Sequence, residues 1–381
     1  MLKFGFKGKL IMAIFLGVLL TSLWSKSIYL LVLFSLTTYI VLPIKKYWDG
    51  TCIMLVLFSI IYSIMTILTS QYGSGFLLIS YLISPVAFYR FGRWTMSNFY
   101  DEKVRQKLLF YIITCYLLSL FIMTFKDIAL VGIVNVSRVL LGDLNGGDGL
   151  AATLYGLMAS VGLGCITVLF TKQHNIWLFL GYILLSILSV LVVVHLVNRT
   201  GLVIVLSCLL VAFVLSGKMR INKFLPALLL ISILTLVVVR AGLISDEIVD
   251  AYIQRETSST YDLTQLGGRS DIWADAVKNL VYHPLGWDRV YYAHNMWLDI
   301  ARVGGWFSLL FFLIATFNWC KNCFRLIRKP MTTFRLMVIS INVAMFLASF
   351  VEPVIEGSIL YFSLYMMIWG YTKSLSMEST I

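Results

Sequence analysis

Charge is scarce in this sequence: Asp, Glu, Lys and Arg make up 13% of its 381 residues, and only 18 residues are acidic. A soluble domain carries about 25% charged residues, so a water-solvated globule is excluded as the main form of the chain. Proline is rarer still, at 6 residues, which leaves long stretches without a helix breaker. No internal repeat is visible, which weighs against transporter folds built from duplicated halves. The 6 cysteines fall in or beside apolar runs, with none in the polar stretch after 245, so no disulfide framework is implied. Cys320 and Cys323 form a C-x-x-C pair without a second pair or a nearby His. Two small side chains on one helix face are a simpler account of it than zinc.

What is there is apolar. Hydrophobic residues make up 60% of the chain and the mean hydropathy is +0.90. A spanning helix needs about 20 mostly apolar residues, and uncharged runs of that order recur along the sequence. They lie near 8–24, 27–44, 51–69, 76–92, 107–125, 150–170, 175–197, 200–216, 223–244, 293–319, 334–351 and 355–373, with ends good to several residues. The expected fold is all-α, a polytopic membrane protein of about twelve spans forming one transmembrane domain over 1–381. Lys3, Lys7 and Lys9 precede the first run, but another apolar run follows at once without a cleavage signal, so the first run reads as an uncleaved span.

The net charge of +12 is distributed in the gaps between runs, as a membrane topology demands and a nucleic-acid patch does not. Threading the runs with the N-terminus inside places 20 of the 30 Lys and Arg on the cytoplasmic side and 14 of the 18 Asp and Glu outside. That asymmetry predicts cytoplasmic termini. Trp24, Trp48, Trp94, Trp177 and Trp319 fall near run ends, where they would act as interfacial anchors or simply meet lipid. Two outer stretches are long enough for structure of their own, 126–149 and 245–292. The first ends in a Gly-rich acidic run, Gly142 to Gly149, which lacks the ligand spacing of a calcium loop and reads as a plain loop.

The second stretch lies between the ninth and tenth runs and contains an amphipathic helix. Ser270 is placed to cap it, Asp271 suits its positive end, Ile272, Trp273, Ala276, Val277 and Leu280 share a face, and His283-Pro284 stops it. Such a helix either packs at the membrane face or serves as a platform that holds Arg269 over a cavity. His294 and Asn295 then open the tenth run. An imidazole at a helix N-terminus meets a positive potential that disfavours its protonated form, which suits a proton acceptor; a structural His is the competing account. Asn295 either caps the helix or orients the imidazole. Arg199, in Asn198-Arg199-Thr200-Gly201, stands between two apolar runs, where a cation needs an anion, a water-filled cavity or lipid phosphate to reach. His195, one turn earlier, reads as a satisfied buried polar group ahead of a second base. Asp299 and Arg302, three apart, are expected to pair. Glu352 and Glu356, four apart around Pro353, either meet sugar hydroxyls or, more simply, stand as solvated turn residues.

Several of these residues recur together in the O-antigen ligase and O-antigen polymerase superfamily of bacterial membrane glycosyltransferases, which this chain resembles. The resemblance rests on Arg199-Thr200-Gly201, on Gly268-Arg269 with Trp273 and Ala276, on His283-Pro284-Leu285-Gly286, and on His294-Asn295 with Leu298 and Gly304-Gly305. It is sharpest over 267–312; the first half matches in hydropathy and span count alone, and Asp288 stands where the family often has a second Gly. The resemblance implies an inner-membrane enzyme whose site faces the periplasm and whose donor is an undecaprenyl-diphosphate-linked glycan. It implies no metal and no other cofactor. His294 would take the acceptor's proton and Arg199 and Arg269 would hold the diphosphate, while Asn295, His195, Glu352 and Glu356 are candidates to orient or touch substrate. The expected activity is polymerisation of lipid-linked repeat units of an O-antigen or capsule, with membrane lipid and a chain-length regulator as further partners. The alternatives are a ligase acting on lipid A core and, from another class, a flippase for lipid-linked sugars.

Overall fold

The structure is a computed structural model that describes residues 6–23, 27–43, 45–69, 74–135, 139–140, 150–171, 175–216, 269–287 and 292–378, with positions 248, 250 and 253 besides. The elements are α1 (Phe6–Leu20), α2 (Ser27–Val41), α3 (Gly50–Leu68), α4 (Gly75–Asn98), α5 (Glu102–Val131), β1 (Val139–Leu140), β2 (Leu150–Ala151), α6 (Ala152–Leu163), α7 (Ile176–His195), α8 (Arg199–Ser216), α9 (Arg269–Tyr282), α10 (Met296–Ile327), α11 (Thr333–Val351), α12 (Val354–Gly357) and α13 (Ile359–Met377). A 3-10 stretch, Gly164–Phe170, prolongs α6, and the two short strands pair antiparallel.

Among the described residues, eight helices are long and apolar enough to cross a membrane: α3, α4, α5, α6 with its extension, α7, α8, α10 and α11. The runs expected at 8–24 and 27–44 form helices of 15 residues each, and that at 355–373 forms the more polar α13. The run at 223–244, the Gly142 to Gly149 loop, Trp24 and most of 245–292 lie outside the described residues.

Helix starts follow from single polar residues. Asp49 Oδ1 accepts the Cys52 N–H at 2.9 Å, Ser74 Oγ that of Leu77 at 3.2 Å, and Asn175 and Asn295 each accept two amides at the starts of α7 and α10. Each satisfies N–H groups that the helix leaves without partners.

The bundle has an apolar interior with small polar residues set into it, and its outer surface is apolar as well. Ile60, Ile64, Ile122, Leu184, Ile187, Leu206 and Leu210 point outward, while Ser35, Ser59, Ser84, Ser189, Ser340, Ser363 and Thr372 are buried. Small polar residues between helices and aliphatics outside are what packing in hydrocarbon favours, because apolar burial there brings no hydrophobic gain. Where α4 crosses α13, a Cβ on Gly92 would lie 2.2 Å from the Met367 carbonyl and one on Gly370 2.3 Å from that of Tyr89, so the backbones touch. Trp319 stacks on Trp369 with ring centroids 5.2 Å apart and donates to Asn342 at 2.9 Å. Trp94 is buried as well. Neither is therefore the interfacial or lipid-facing residue expected of it, since each finds ring partners inside the bundle; Trp48 and Trp177 are exposed.

Candidate functional site

Gly305 breaks α10 near its start. Its backbone (φ 64°, ψ −167°) lies in a region open essentially to glycine alone, and the helix bends there. The segment that follows α9 fills the break: Trp306 N–H donates to the Pro284 carbonyl at 2.9 Å, and Trp287 N–H donates to that of Arg302 at 2.9 Å. Gly286 (φ 109°) passes so close that a Cβ on it would meet the Arg302 and Val303 carbonyls at 2.9 Å. The Pro284-Leu285-Gly286 and Gly304-Gly305 signals, 20 residues apart in sequence, are thus the two halves of one backbone joint.

That joint seats α9 on α10. Leu280 packs with Ala301 and Leu309, and Ala276 is buried. Trp273 stands edge-on to Phe350 at 5.2 Å and donates to the Ala293 carbonyl at 2.8 Å. Ile272 and Val277, expected on the same face, are exposed, since the stripe that Trp273, Ala276 and Leu280 turn to their neighbours is narrow. The helix begins at Arg269, so Ser270 lies inside it and is not the cap.

Five interactions pin residues 293–295. Asp299 Oδ1 accepts the Ala293 N–H at 2.8 Å and its Oδ2 accepts the Asn295 N–H at 3.3 Å. The Asn295 side chain caps α10 at its Oδ1 and donates from Nδ2 to the Phe350 carbonyl at 3.1 Å. The Trp273 bond to the Ala293 carbonyl is the fifth. Held between them, His294 adopts φ 50°. Left-handed backbone at a non-glycine residue costs on the order of 1–3 kcal/mol and persists only where its surroundings over-determine it.

The imidazole so placed faces a carboxylate. His294 Nδ1 lies 3.8 Å from Glu352 Oε2, and Arg269 Nη2 lies 3.6 Å from Glu352 Oε1. Both separations exceed hydrogen-bond length, and Nδ1 and Oε2 are buried atoms without a hydrogen-bond partner. His294 and Arg269 are part-exposed, with 33% and 24% of their side-chain surface open, while Glu352 shows 6%. Two part-exposed cationic or basic groups and a buried acid behind them thus form one cluster.

Glu352 and Glu356 are not solvated turn residues. Pro353 ends the helix between them, so they lose the shared face that a four-residue spacing would give and turn to different partners. Glu356 meets the buried Arg302, whose Nη2 donates to its two oxygens at 2.5 and 2.6 Å. Arg302 also pairs with Asp299 at 3.5 Å, as the spacing suggests, and stands 5.3 Å from the ring of Tyr292. This second set buttresses the first through Asp299.

His195 is fully buried away from the cluster, its Nε2 2.8 Å from Asp127 Oδ2 and its Nδ1 2.8 Å from the Ile133 carbonyl. Asn135 donates to the same Asp127 oxygen at 2.6 Å and its N–H donates to the His195 carbonyl at 2.8 Å. The set ties α5 and the segment after it to the end of α7. There the chain turns through Val197 at φ 49°, with Asn198 N–H donating to Val193 and Val197 N–H to Val194, a helix end at which glycine is usual. Arg199 begins α8 directly after this turn, and its Nη2 is buried with no hydrogen-bond partner. Val197 and His294 are the two non-glycine residues with positive φ among those described, and each lies within two residues of a guanidinium or imidazole picked out in the sequence.

Arg199 belongs to the same end of the bundle as the cluster. Cys208 Sγ donates to the Ser340 carbonyl at 3.6 Å where α8 packs on α11. From that contact Arg199 lies nine residues along α8 and Glu352 twelve beyond Ser340, roughly 14 and 18 Å in the same direction at 1.5 Å per residue. Sequence reasoning did not foresee the part played by Asp299; an acid four residues after an Asn helix cap was the available signal.

No family model matches this chain, and no curated protein matches it significantly.

Proposed function

We propose that the chain is a membrane glycosyltransferase of about twelve spans, with cytoplasmic termini and the His294 cluster facing the periplasm. It transfers a glycan from an undecaprenyl-diphosphate carrier to a sugar hydroxyl, as a polymerase of lipid-linked repeat units. The observation that carries this reading is the Arg269, Glu352 and His294 cluster, built on strained, over-determined backbone at one end of a membrane bundle.

With Nδ1 turned to Glu352, His294 Nε2 is the nitrogen left to accept a proton. The acceptor oxygen attacks the anomeric carbon from the face opposite the diphosphate while the bond from that carbon to the diphosphate oxygen breaks. The hydroxyl proton passes to Nε2, the configuration inverts, and the polyprenyl diphosphate leaves with its charge held by Arg199 and Arg269. Glu352 keeps Arg269 and the imidazole at a fixed separation. A guanidinium fork supplies the planar donors that a diphosphate leaving group requires, which the compact ammonium of lysine does not.

The test is an in vitro reaction with purified protein and lipid-linked oligosaccharide as the sole glycan. A ladder of longer lipid-linked chains is expected, and His294→Ala should slow it by about 10²–10⁴, the usual worth of a general base. Product formed only on addition of core lipid would reassign the chain as a ligase, which shares the donor chemistry. Absence of any ladder with the purified wild type, together with blocked export of lipid-linked sugar in cells carrying Arg199→Ala, would replace the enzyme by a flippase.

A further inference from the structure

At the far end of α10 from His294, Asn318, Lys321, Asn322 and Arg325 follow at three- and four-residue spacing and so share one helix face. That face lines a cleft of about 180 Å³ together with Lys373 of α13 and Asp49 at the start of α3. Lys321 lies roughly 38 Å along the helix from Met296 at 1.5 Å per residue. We infer that this cleft binds a phosphate group through Lys321, Arg325 and Lys373.

Charge is unbalanced around this one open cleft. Asp49 is the single carboxylate lining the cleft, and it is already committed: it accepts from Arg93 at 2.9 Å, from Tyr89 at 2.8 Å and from the Cys52 N–H at 2.9 Å. Lys321, Arg325 and Lys373 form no ion pair among the described residues. Lys373 is half-buried; Asp49 attracts it, but Arg93, Arg325 and Lys321 all repel it. Three cations lining one cleft, Lys321 and Arg325 exposed and Lys373 half-buried, with a single committed carboxylate among them, are stabilised by an anion with several acceptor oxygens. A phosphate offers those and fits, since a single water needs only about 10–15 Å³. The depth agrees, because the cleft lies at the last turns of α10 and α13 and the first of α3, with exposed Trp48 adjoining, which is where helices meet headgroups. An anionic phospholipid headgroup and free phosphate share this chemistry. The inference does not depend on glycan transfer at the other end.

Native mass spectrometry of the full chain in detergent, with phosphatidylglycerol or phosphatidylcholine added, tests it. Phosphatidylglycerol adducts are expected on the wild type. Their affinity should fall roughly fivefold per cation removed, hence on the order of a hundredfold in Lys321→Gln/Arg325→Gln/Lys373→Gln, while Lys103→Gln/Lys107→Gln at the same end binds as before. Arg325→Gln alone, with a wild-type melting curve, guards against misfolding of the triple variant. Competition by inorganic phosphate, or a rise in melting temperature with it in the wild type alone, would identify the free ion as the occupant. Lipid binding without such competition would identify the headgroup. Equal binding of the two lipids, unchanged binding in the triple variant, or no response to either probe would overturn the inference.

Discussion

Asp299→Asn isolates how the site holds the His294 imidazole, the base of the proposed reaction. The carboxylate is fully buried and accepts two backbone N–H groups that flank His294, at 2.8 and 3.3 Å. A hydrogen bond to a charged acceptor is worth about 1.5–3 kcal/mol, and an Asn amide can accept through only one of its two termini. The substitution therefore forfeits about 1.5–3 kcal/mol, comparable with the roughly 1–3 kcal/mol that left-handed backbone at His294 costs. The balance that keeps φ at 50° is then lost and the imidazole relaxes away from Glu352. Arg302 keeps Glu356 as a partner, so the bundle should remain folded with a melting point lowered by only a few degrees. A displacement near 1 Å costs on the order of 10²-fold in rate, and that loss should appear in kcat with KM little changed, since donor contacts stay in place. The assay is single-turnover extension of lipid-linked oligosaccharide beside a melting curve. Because Asp299 acts through His294, the double variant with His294→Ala should be no slower than His294→Ala alone. Wild-type kcat in Asp299→Asn, or a further 10²-fold loss in the double variant, would refute the reasoning.

Replacing Arg199 or Arg269 by Lys retains the charge but not the fork, and each should lower kcat by about 10²–10³ in the same assay while the melting curve holds. Gly305→Ala places a Cβ 2.4 Å from the Pro284 carbonyl at a φ of 64°, so the joint between α9 and α10 opens; cysteine labelling at Trp287→Cys, slow in the parent, should accelerate. His195→Ala strips Asp127 and the Ile133 carbonyl of their shared partner and should destabilise by about 3–5 kcal/mol, read as a lower melting point, with activity per folded molecule retained. Loss of turnover without loss of stability in that variant would return His195 to the reaction.

The parts of the site that were legible before any coordinates are those set by nearest neighbours along the chain. Asn295 was readable as a cap because a short polar side chain ahead of an apolar run has unpaired amides within reach. The pairing of Asp299 with Arg302 followed from helix periodicity alone. Glu352 was not legible in this way. Its place between Arg269 and His294 joins segments more than 50 residues apart, and its position in the turn around Pro353 suggested a solvated residue. Trp319 misled in a related manner: its position near a run end suggested an anchor, while its rotation about α10 turned it onto Trp369.

Hydropathy along the sequence was enough to establish that helices of this chain cross a membrane, because transfer of some 20 apolar residues into hydrocarbon is a property of each segment by itself. Which cation meets which carboxylate was decided only by tertiary structure. A buried ion pair forms where packing brings two distant segments to within a few ångströms, and here the kink at Gly305 and the helix stop at Pro353 set those distances.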